Sequence, residues 1–213
     1  MRILYIDTTT RYLYTGVVED NNLLAEIKED FGTDLSKVTL NNIKNMLDSI
    51  NLEPKDIDKI IVVNGPGSYT GIRIGVTIAK TFAYSLNTEI TTISSLQAMA
   101  VSSKKGTDYI APIIDARRGY SFAAIYDKDY NPILKEQYIN TDTLHLALEN
   151  LPGDYTVIGN SLGVTEEYNP DILKIVNTYK DKESINPHSV NPIYLKLTEA
   201  EENKKVEIIW LKN

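Results

Sequence analysis

Residues 61–75, IVVNGPGSYTGIRIG, contain a strand, a glycine–proline turn and the start of a helix. Lys59 to Asn64 is an apolar run of strand length, Gly65, Pro66 and Gly67 turn it, and the spacing predicts a helix from near Thr70. Glycine at 65 and 67 permits backbone angles and close approaches that a Cβ would block. Proline between them fixes φ and removes one donor. The free N–H groups that open the following helix would suit an anion or a carbonyl. Two nucleotide motifs come near and fail. In G-x-G-x-x-G the last place is held by Thr70, with Gly71 one residue late, and Ile72 stands where a Walker A loop needs lysine.

Composition narrows the class. The chain has 213 residues, enough for one large core or two of about 100 residues each. Its 42% apolar and 24% charged residues are those of an ordinary globular protein, without an apolar run of membrane-spanning length. MRILYIDTTT goes straight into a strand pattern with no signal-peptide h-region, and there are no cysteines, so a cytoplasmic protein without disulfides, thiolate nucleophile or thiolate zinc site is expected. The net charge of −7 argues against a chain that holds RNA alone, because phosphate neutralisation supplies most of such affinity.

Outward from the central stretch, residues 3–7, 12–18 and 23–29 read as three strands, with a hydroxyl-rich turn Thr8-Thr9-Thr10 after the first and a hairpin at 19–22. Asp7 ends the first strand, where it caps the turn through its own side chain or faces a ligand together with Thr9. Residues 35–50 carry a helical period with Val38, Ile43, Met46, Leu47 and Ile50 near one face, capped by Thr33 or Asp34. The helix over 71–86 is apolar round most of its circumference, through Ile72, Ile74, Val76, Ile78, Ala79, Phe82, Ala83 and Leu86. Such a helix is covered on more than one side, either by its own domain or by another chain.

A strand at 89–93 and a helix at 95–102 close the first half, and the polar stretch Lys104–Thr107 reads as a linker. Residues 108–115 restart a strand, the turn Ala116-Arg117-Arg118-Gly119 follows, and strands at 120–126 and 133–139 repeat the opening pattern of the first half, as in an internal duplication. Asp115, Arg117 and Arg118 form either an ion-paired turn or a cleft lining that meets a carboxylate, a phosphate, a partner or RNA. Beyond them the sequence predicts a helix at 142–150, a strand at 156–160 with a glycine turn Gly159-Asn160-Ser161, and a strand at 172–178. The two histidines, His145 and His188, are far apart and no H-x-x-x-H pair exists, so no metal site is expected and a metallopeptidase lacks its ligands. The tail, 197–213, is polar and acidic, then apolar around Ile208, Ile209 and Trp210.

Two strings, NGPGSYTGIRIG at 64–75 and DARRG at 115–119, resemble the signatures of the TsaB (YeaZ) family, and Pro192-Ile193-Tyr194-Leu195-Lys196 is similar to its P-x-Y-L-R close with lysine for arginine. The resemblance covers most of residues 1–196. It departs at Leu35, where the family often has histidine before the serine. It implies an α/β fold of two tandem actin-like domains (ASKHA, ribonuclease H-like), each a mixed sheet with flanking helices, at 1–103 and 108–196, followed by the tail.

The function implied is that of a non-catalytic scaffold for the transferase TsaD in forming threonylcarbamoyladenosine next to the anticodon of tRNAs that read codons beginning with adenine. Implied partners are TsaD as a direct heterodimer, TsaE, a functional link to the TsaC/Sua-type threonylcarbamoyl-adenylate synthase, and tRNA through the complex. A homodimer is an alternative use of the same surface. No intrinsic cofactor is implied, with nucleotide entering only in the complex, if at all. The implied contact surface lies on the helices with Val38, Ile43, Met46, Ile72, Val76, Ala79, Phe82 and Ala83. The signature loop is Gly65, Pro66, Gly67, Ser68, Tyr69, Thr70, Gly71 and Arg73, and Asp7, Thr9, Asp115, Arg117 and Arg118 would form a vestigial cleft. A different class stays open: a self-sufficient actin-like ATPase or small-molecule kinase, with Asp7, Thr9 and the glycine loop at a Mg-nucleotide.

Overall fold

The computed structural model describes residues 1–159 and 163–196. The chain opens as an antiparallel meander of β1 (Arg2–Asp7), β2 (Tyr12–Glu19) and β3 (Asn22–Asp30). Helix α1 (Leu35–Ser49), strand β4 (Lys59–Val63), helix α2 (Tyr69–Leu86) and strand β5 (Glu89–Ile93) follow. β4 lies parallel to β1, and β5 parallel to β4, so a crossover is needed each time, and the two helices supply it. The sheet order is β3-β2-β1-β4-β5.

After α3 (Ser95–Ser102) the same plan repeats: β6 (Tyr109–Asp115), β7 (Tyr120–Asp127), β8 (Pro132–Asn140), α4 (Thr141–Glu149), β9 (Tyr155–Gly159) and the short β10 (Glu166–Glu167). Their order, β10-β9-β6-β7-β8, is the first sheet's order read from the opposite edge. The duplication expected from the sequence is therefore present strand for strand. The halves differ where α2 crosses from β4 to β5, because only residues 160–165 join β9 to β10. The predicted turn at Gly159-Asn160-Ser161 falls partly outside the described residues, and the tail at 197–213 falls wholly outside them.

Local chemistry explains the boundaries. Ser68 caps α2 by accepting the Gly71 N–H at 3.2 Å, Ser94 caps α3 from Gln97 at 2.9 Å, and Asn87, in the left-handed region, ends α2. Asp34 does not cap α1 as predicted. A 3-10 turn at Gly32–Asp34 runs directly into the helix, and the Asp34 carboxylate pairs with Lys37 at 2.7 Å instead.

The segment predicted as a strand at 172–178 is helix α5 (Ile172–Tyr179), capped by the Asp171 side chain, which accepts the Lys174 N–H at 2.9 Å. Ile172, Ile175 and Val176 pack with Ile3, Tyr5, Val18 and Ile61 on the first sheet. The chain then stays with that sheet: Ile185 N–H donates to the Ile90 carbonyl at 2.9 Å, Val190 is buried in the first core, and Ile193 N–H donates to the Asn64 carbonyl at 2.7 Å. The expected second unit, 108–196, is thus corrected, because 172–193 returns to the first half. Conversely, α3 lends Leu96, Met99 and Ala100 to a core with Ile110, Ala124, Tyr126 and Ile158 of the second sheet. Each half is completed by an element close to the other, and Glu136 of β8 reinforces the junction by accepting from the Ser94 hydroxyl and, at 2.7 Å, from the Tyr126 hydroxyl.

Candidate functional site

The signature loop is held by the turn after β1. Thr8 hydroxyl donates to the Gly71 carbonyl at 2.7 Å, and the Ser68 N–H donates to the Thr9 carbonyl at 2.7 Å. A Cβ on Gly67 would lie 2.3 Å from the Thr9 carbonyl oxygen, and one on Gly71 would lie 2.0 Å from that of Thr8. On the far side, a Cβ on Gly65 would lie 2.6 Å from the Ile193 carbonyl oxygen, and the Asn64 amide donates to the Asn191 carbonyl at 2.9 Å. The Gly65–Pro66 bond is cis, and the Ser95 N–H donates to the Gly65 carbonyl at 2.9 Å. The glycines therefore serve three close backbone approaches. Thr8, which a Cβ on Gly71 or on Gly75 would meet, was not singled out in the sequence, where only the Thr-Thr-Thr run marked it.

Asp7 is 1% exposed, below the cleft floor. Its Oδ1 accepts the Thr9 N–H at 2.8 Å and the Thr9 hydroxyl at 2.7 Å, and the Tyr5 hydroxyl approaches Oδ2 at 3.4 Å. Burial pushes its pKa up, and the Thr9 bonds pull it back only in part. Buried Tyr5 and half-buried Tyr168, whose hydroxyl is buried, have hydroxyls held well above the usual range, chiefly by burial. The Tyr168 hydroxyl has no hydrogen-bond partner among the described residues.

Above them lies an open cleft of about 2050 Å³, lined by Thr9, Thr10, Ser68, Tyr69 and Thr70 from the first half and by Ile114, Asp115, Arg117 and Phe122 from the second. Of the five expected cleft residues, Thr9, Asp115 and Arg117 line it, whereas Asp7 lies beneath it and Arg118 is exposed outside the lining. Asp115 does not pair with either guanidinium. Its Oδ1 accepts the Arg117 backbone N–H at 2.8 Å. At the cleft rim, Arg73 lies 3.8 Å from the Tyr69 ring centroid and donates to the Tyr194 hydroxyl at 2.9 Å, while Tyr69 and Tyr194 stack at 5.2 Å.

Six of the eight residues expected on a contact surface (Ile43, Met46, Ile72, Val76, Ala79 and Ala83) are buried in the first half's own core. They are corrected to core positions, because α1 and α2 pack on each other and on the sheet. Val38 and Phe82 are half-buried. The large apolar side chains these helices leave open are Leu40, 53% exposed, on α1, and Tyr69, 50%, Tyr84, 67%, and Leu86, 38%, on α2; of these Tyr69 is taken up by the cleft-rim stack. Among the described residues no three His, Cys, Asp or Glu side chains gather as metal ligands, and no helix is long and apolar enough to cross a membrane.

A family model described as TsaD, tRNA N6-adenosine threonylcarbamoyltransferase, matches residues 29–161. The Bacillus subtilis (strain 168) tRNA threonylcarbamoyladenosine biosynthesis protein TsaB is 34% identical over 223 residues, covering 94% of this chain and 96% of its own length. The chain belongs to the TsaB (YeaZ) family. The Escherichia coli (strain K12) TsaB is 29% identical over 75% of this chain and 71% of its own. A solved structure of YeaZ from Pseudomonas aeruginosa superposes with a TM-score of 0.74 at 18% identity, over 91% of this chain and 99% of that one. A second Pseudomonas aeruginosa structure, of an uncharacterized protein with similarity to peptidase YEAZ, gives 0.77 at 18% identity over 92% and 99%. These likenesses establish the fold of two actin-like halves. Family membership places the chain with the tRNA threonylcarbamoyladenosine biosynthesis proteins.

Proposed function

We propose that this chain is a non-catalytic partner of a TsaD-type threonylcarbamoyl transferase, needed for threonylcarbamoyladenosine formation next to the anticodon of tRNAs that read codons beginning with adenine. The observation that carries this is the state of Asp7. The carboxylate that an actin-like ATPase would turn towards a nucleotide is here buried and bonded within its own turn, and the signature glycines are taken up by backbone packing on Thr8, Thr9 and Ile193. The signature loop thereby serves as a brace that sets the start of α2.

The transferase docks, in this proposal, on α1 and α2, through the side chains they leave open, with Leu40 and Tyr84 as its apolar points. The same surface would serve a homodimer in the partner's absence. TsaE and the threonylcarbamoyl-adenylate synthase complete the pathway, no intrinsic cofactor is required, and the setting is the cytoplasm.

The test is reconstitution from purified TsaD, TsaE, threonylcarbamoyl-adenylate and unmodified tRNA, with each protein omitted in turn. Modification that requires this chain, without ATP turnover by the chain alone, is the expected result. Robust ATP hydrolysis by the chain alone, with no effect on modification, would favour an independent ATPase or kinase, and the hydroxyl-lined cleft at the start of α2 would then be the place to look.

A further inference from the structure

The hairpin between β6 and β7 holds three successive residues in the left-handed region: Arg117 at φ 67°, Arg118 at 56° and Gly119 at 76°. The turn is closed by the Ala116 N–H on the Tyr120 carbonyl at 2.9 Å and the Tyr120 N–H on the Arg117 carbonyl at 3.1 Å. Glycine suits its place. Arginine does not, because a Cβ in this region meets the following carbonyl, a clash that glycine avoids and asparagine offsets by local hydrogen bonding. Strain kept at two adjacent positions where a cheaper residue would fold as well points to the side chains as its reason.

Those side chains are uncommitted. Both arginines are exposed, and among the described residues neither guanidinium forms an ion pair or a hydrogen bond. Next to them Tyr120, 37% exposed, stacks on Tyr138 with ring centroids 4.7 Å apart and planes 9° from parallel. Phe122 leans on Tyr138 at 5.7 Å, and the Lys196 ammonium sits 5.2 Å from the Tyr138 ring centroid. In a chain of net charge −7, this is a local group of three cations around an aromatic stack.

We infer that the Arg117–Arg118 turn and the Tyr120–Tyr138 stack form a contact for single-stranded RNA, the guanidiniums taking phosphates and Tyr120 taking a base face. Flat rings beside unpaired arginines fit a polymer that carries both bases and phosphates. The inference rests on the tRNA role proposed above, and it assigns this chain a direct share in holding the substrate. The acidic remainder of the surface keeps that share small and strongly salt-dependent.

The experiment measures binding of the full chain to an anticodon stem-loop RNA with adenosine in its single-stranded loop, by fluorescence anisotropy across a salt series, with polyglutamate as a second probe. The variants are the double substitution Arg117→Asn with Arg118→Asn, and Tyr120→Leu. The arginine pair should lose roughly tenfold in affinity, and the log–log salt slope should fall by about 1.4, or about 0.7 per phosphate contact. Tyr120→Leu should lose roughly fivefold with the slope unchanged. The asparagine variant should unfold at the same or a higher temperature, so that lost binding is not lost folding. Unchanged RNA binding in the variants, absent binding by the full chain, or arginine-dependent binding of polyglutamate in place of RNA would each overturn the inference.

Modification with the transferase is measured on the same proteins. If modification needs this chain while the variants bind RNA normally, the inference falls and the partner role stands. If modification does not need the chain, the partner role falls, and this inference falls with it.

Discussion

The Asp7 carboxylate accepts the Thr9 N–H at 2.8 Å, and in the second half the Asp115 carboxylate accepts the Arg117 N–H at the same distance. β1 and β6 occupy matching places in sheets of identical order, so these two turns correspond to each other across the duplication. Their surroundings then diverge. The first turn is sealed by the start of α2, and Asp7 is buried. The second carries an exposed Asp115 followed by two arginines in left-handed conformation. One turn has become a structural brace and the other has kept an open, charged face.

Replacing Asp7 with asparagine keeps an oxygen for the Thr9 N–H and removes a charge that burial disfavours. The folded pKa of Asp7 is raised, so the unfolded chain releases this proton first. The group's contribution is fully present below the ordinary carboxylate pKa and is lost as pH rises through the raised folded value. Urea unfolding over a pH series should therefore show the wild type losing stability relative to Asp7→Asn across that window, with a constant difference above it. Parallel curves would contradict the assignment. In a reconstituted modification reaction the variant should remain active.

The glycines of the signature loop differ sharply from Gly106. Gly71→Ala puts a Cβ against the Thr8 carbonyl oxygen, which belongs to backbone and cannot swing away. A loss of about 3 kcal/mol or more is expected by chemical unfolding, through overpacking and backbone displacement. Gly106→Ala meets nothing within 4 Å and has no positive φ, so it should be neutral or stabilise by up to about 1 kcal/mol. Equal effects at the two positions would rule out the packing account.

Much of this architecture was legible because strands announce themselves locally. ILYID, KIIVV and YSFAAIY are apolar runs bounded by turn residues, and the repeated strand–Asp turn–strand opening exposed the duplication. Helix α5 was misread for a physical reason. Its Ile and Val content favours a strand, while Ile172, Ile175, Val176 and Tyr179 carry the three- and four-residue spacing of a helix face. The return of 172–193 to the first sheet depends on Lys59 and Asn64, more than 100 residues earlier, and no local pattern encodes it. For the same reason the burial of Val76 and Ala79 could not be separated from exposure at a subunit contact, since both demand an apolar helix face.

Lys59 ties that return in place. It is 4% exposed, and its ammonium donates to the Lys180 carbonyl at 2.9 Å and to the Lys182 carbonyl at 2.6 Å, just beyond α5. Lys59→Met keeps the aliphatic stem and strands two carbonyls, which should cost about 2–4 kcal/mol. Amide hydrogen exchange should quicken at Ile185 and Ile193, whose N–H groups bond to the first half, before it quickens in β1. Exchange that rises evenly over the whole chain would show that the lysine supports the global fold instead of this strap.

The partner surface can be separated from the core by charge. Tyr84, 67% exposed, touches His188 edge-on at 5.0 Å, and Leu40 is 53% exposed, so Tyr84→Glu and Leu40→Glu should alter stability by no more than about 1 kcal/mol. If the transferase docks on α1 and α2, each should weaken the complex at least tenfold, about 1.4 kcal/mol, because a glutamate left in an apolar contact must be desolvated without a partner. Val76→Glu, at a position 3% exposed, should instead unfold the chain by several kcal/mol and abolish binding only as a consequence. Calorimetric titration against the transferase, paired with thermal unfolding of each variant, distinguishes the cases. Folded Tyr84 and Leu40 variants that bind as tightly as the wild type would move the contact away from these helices.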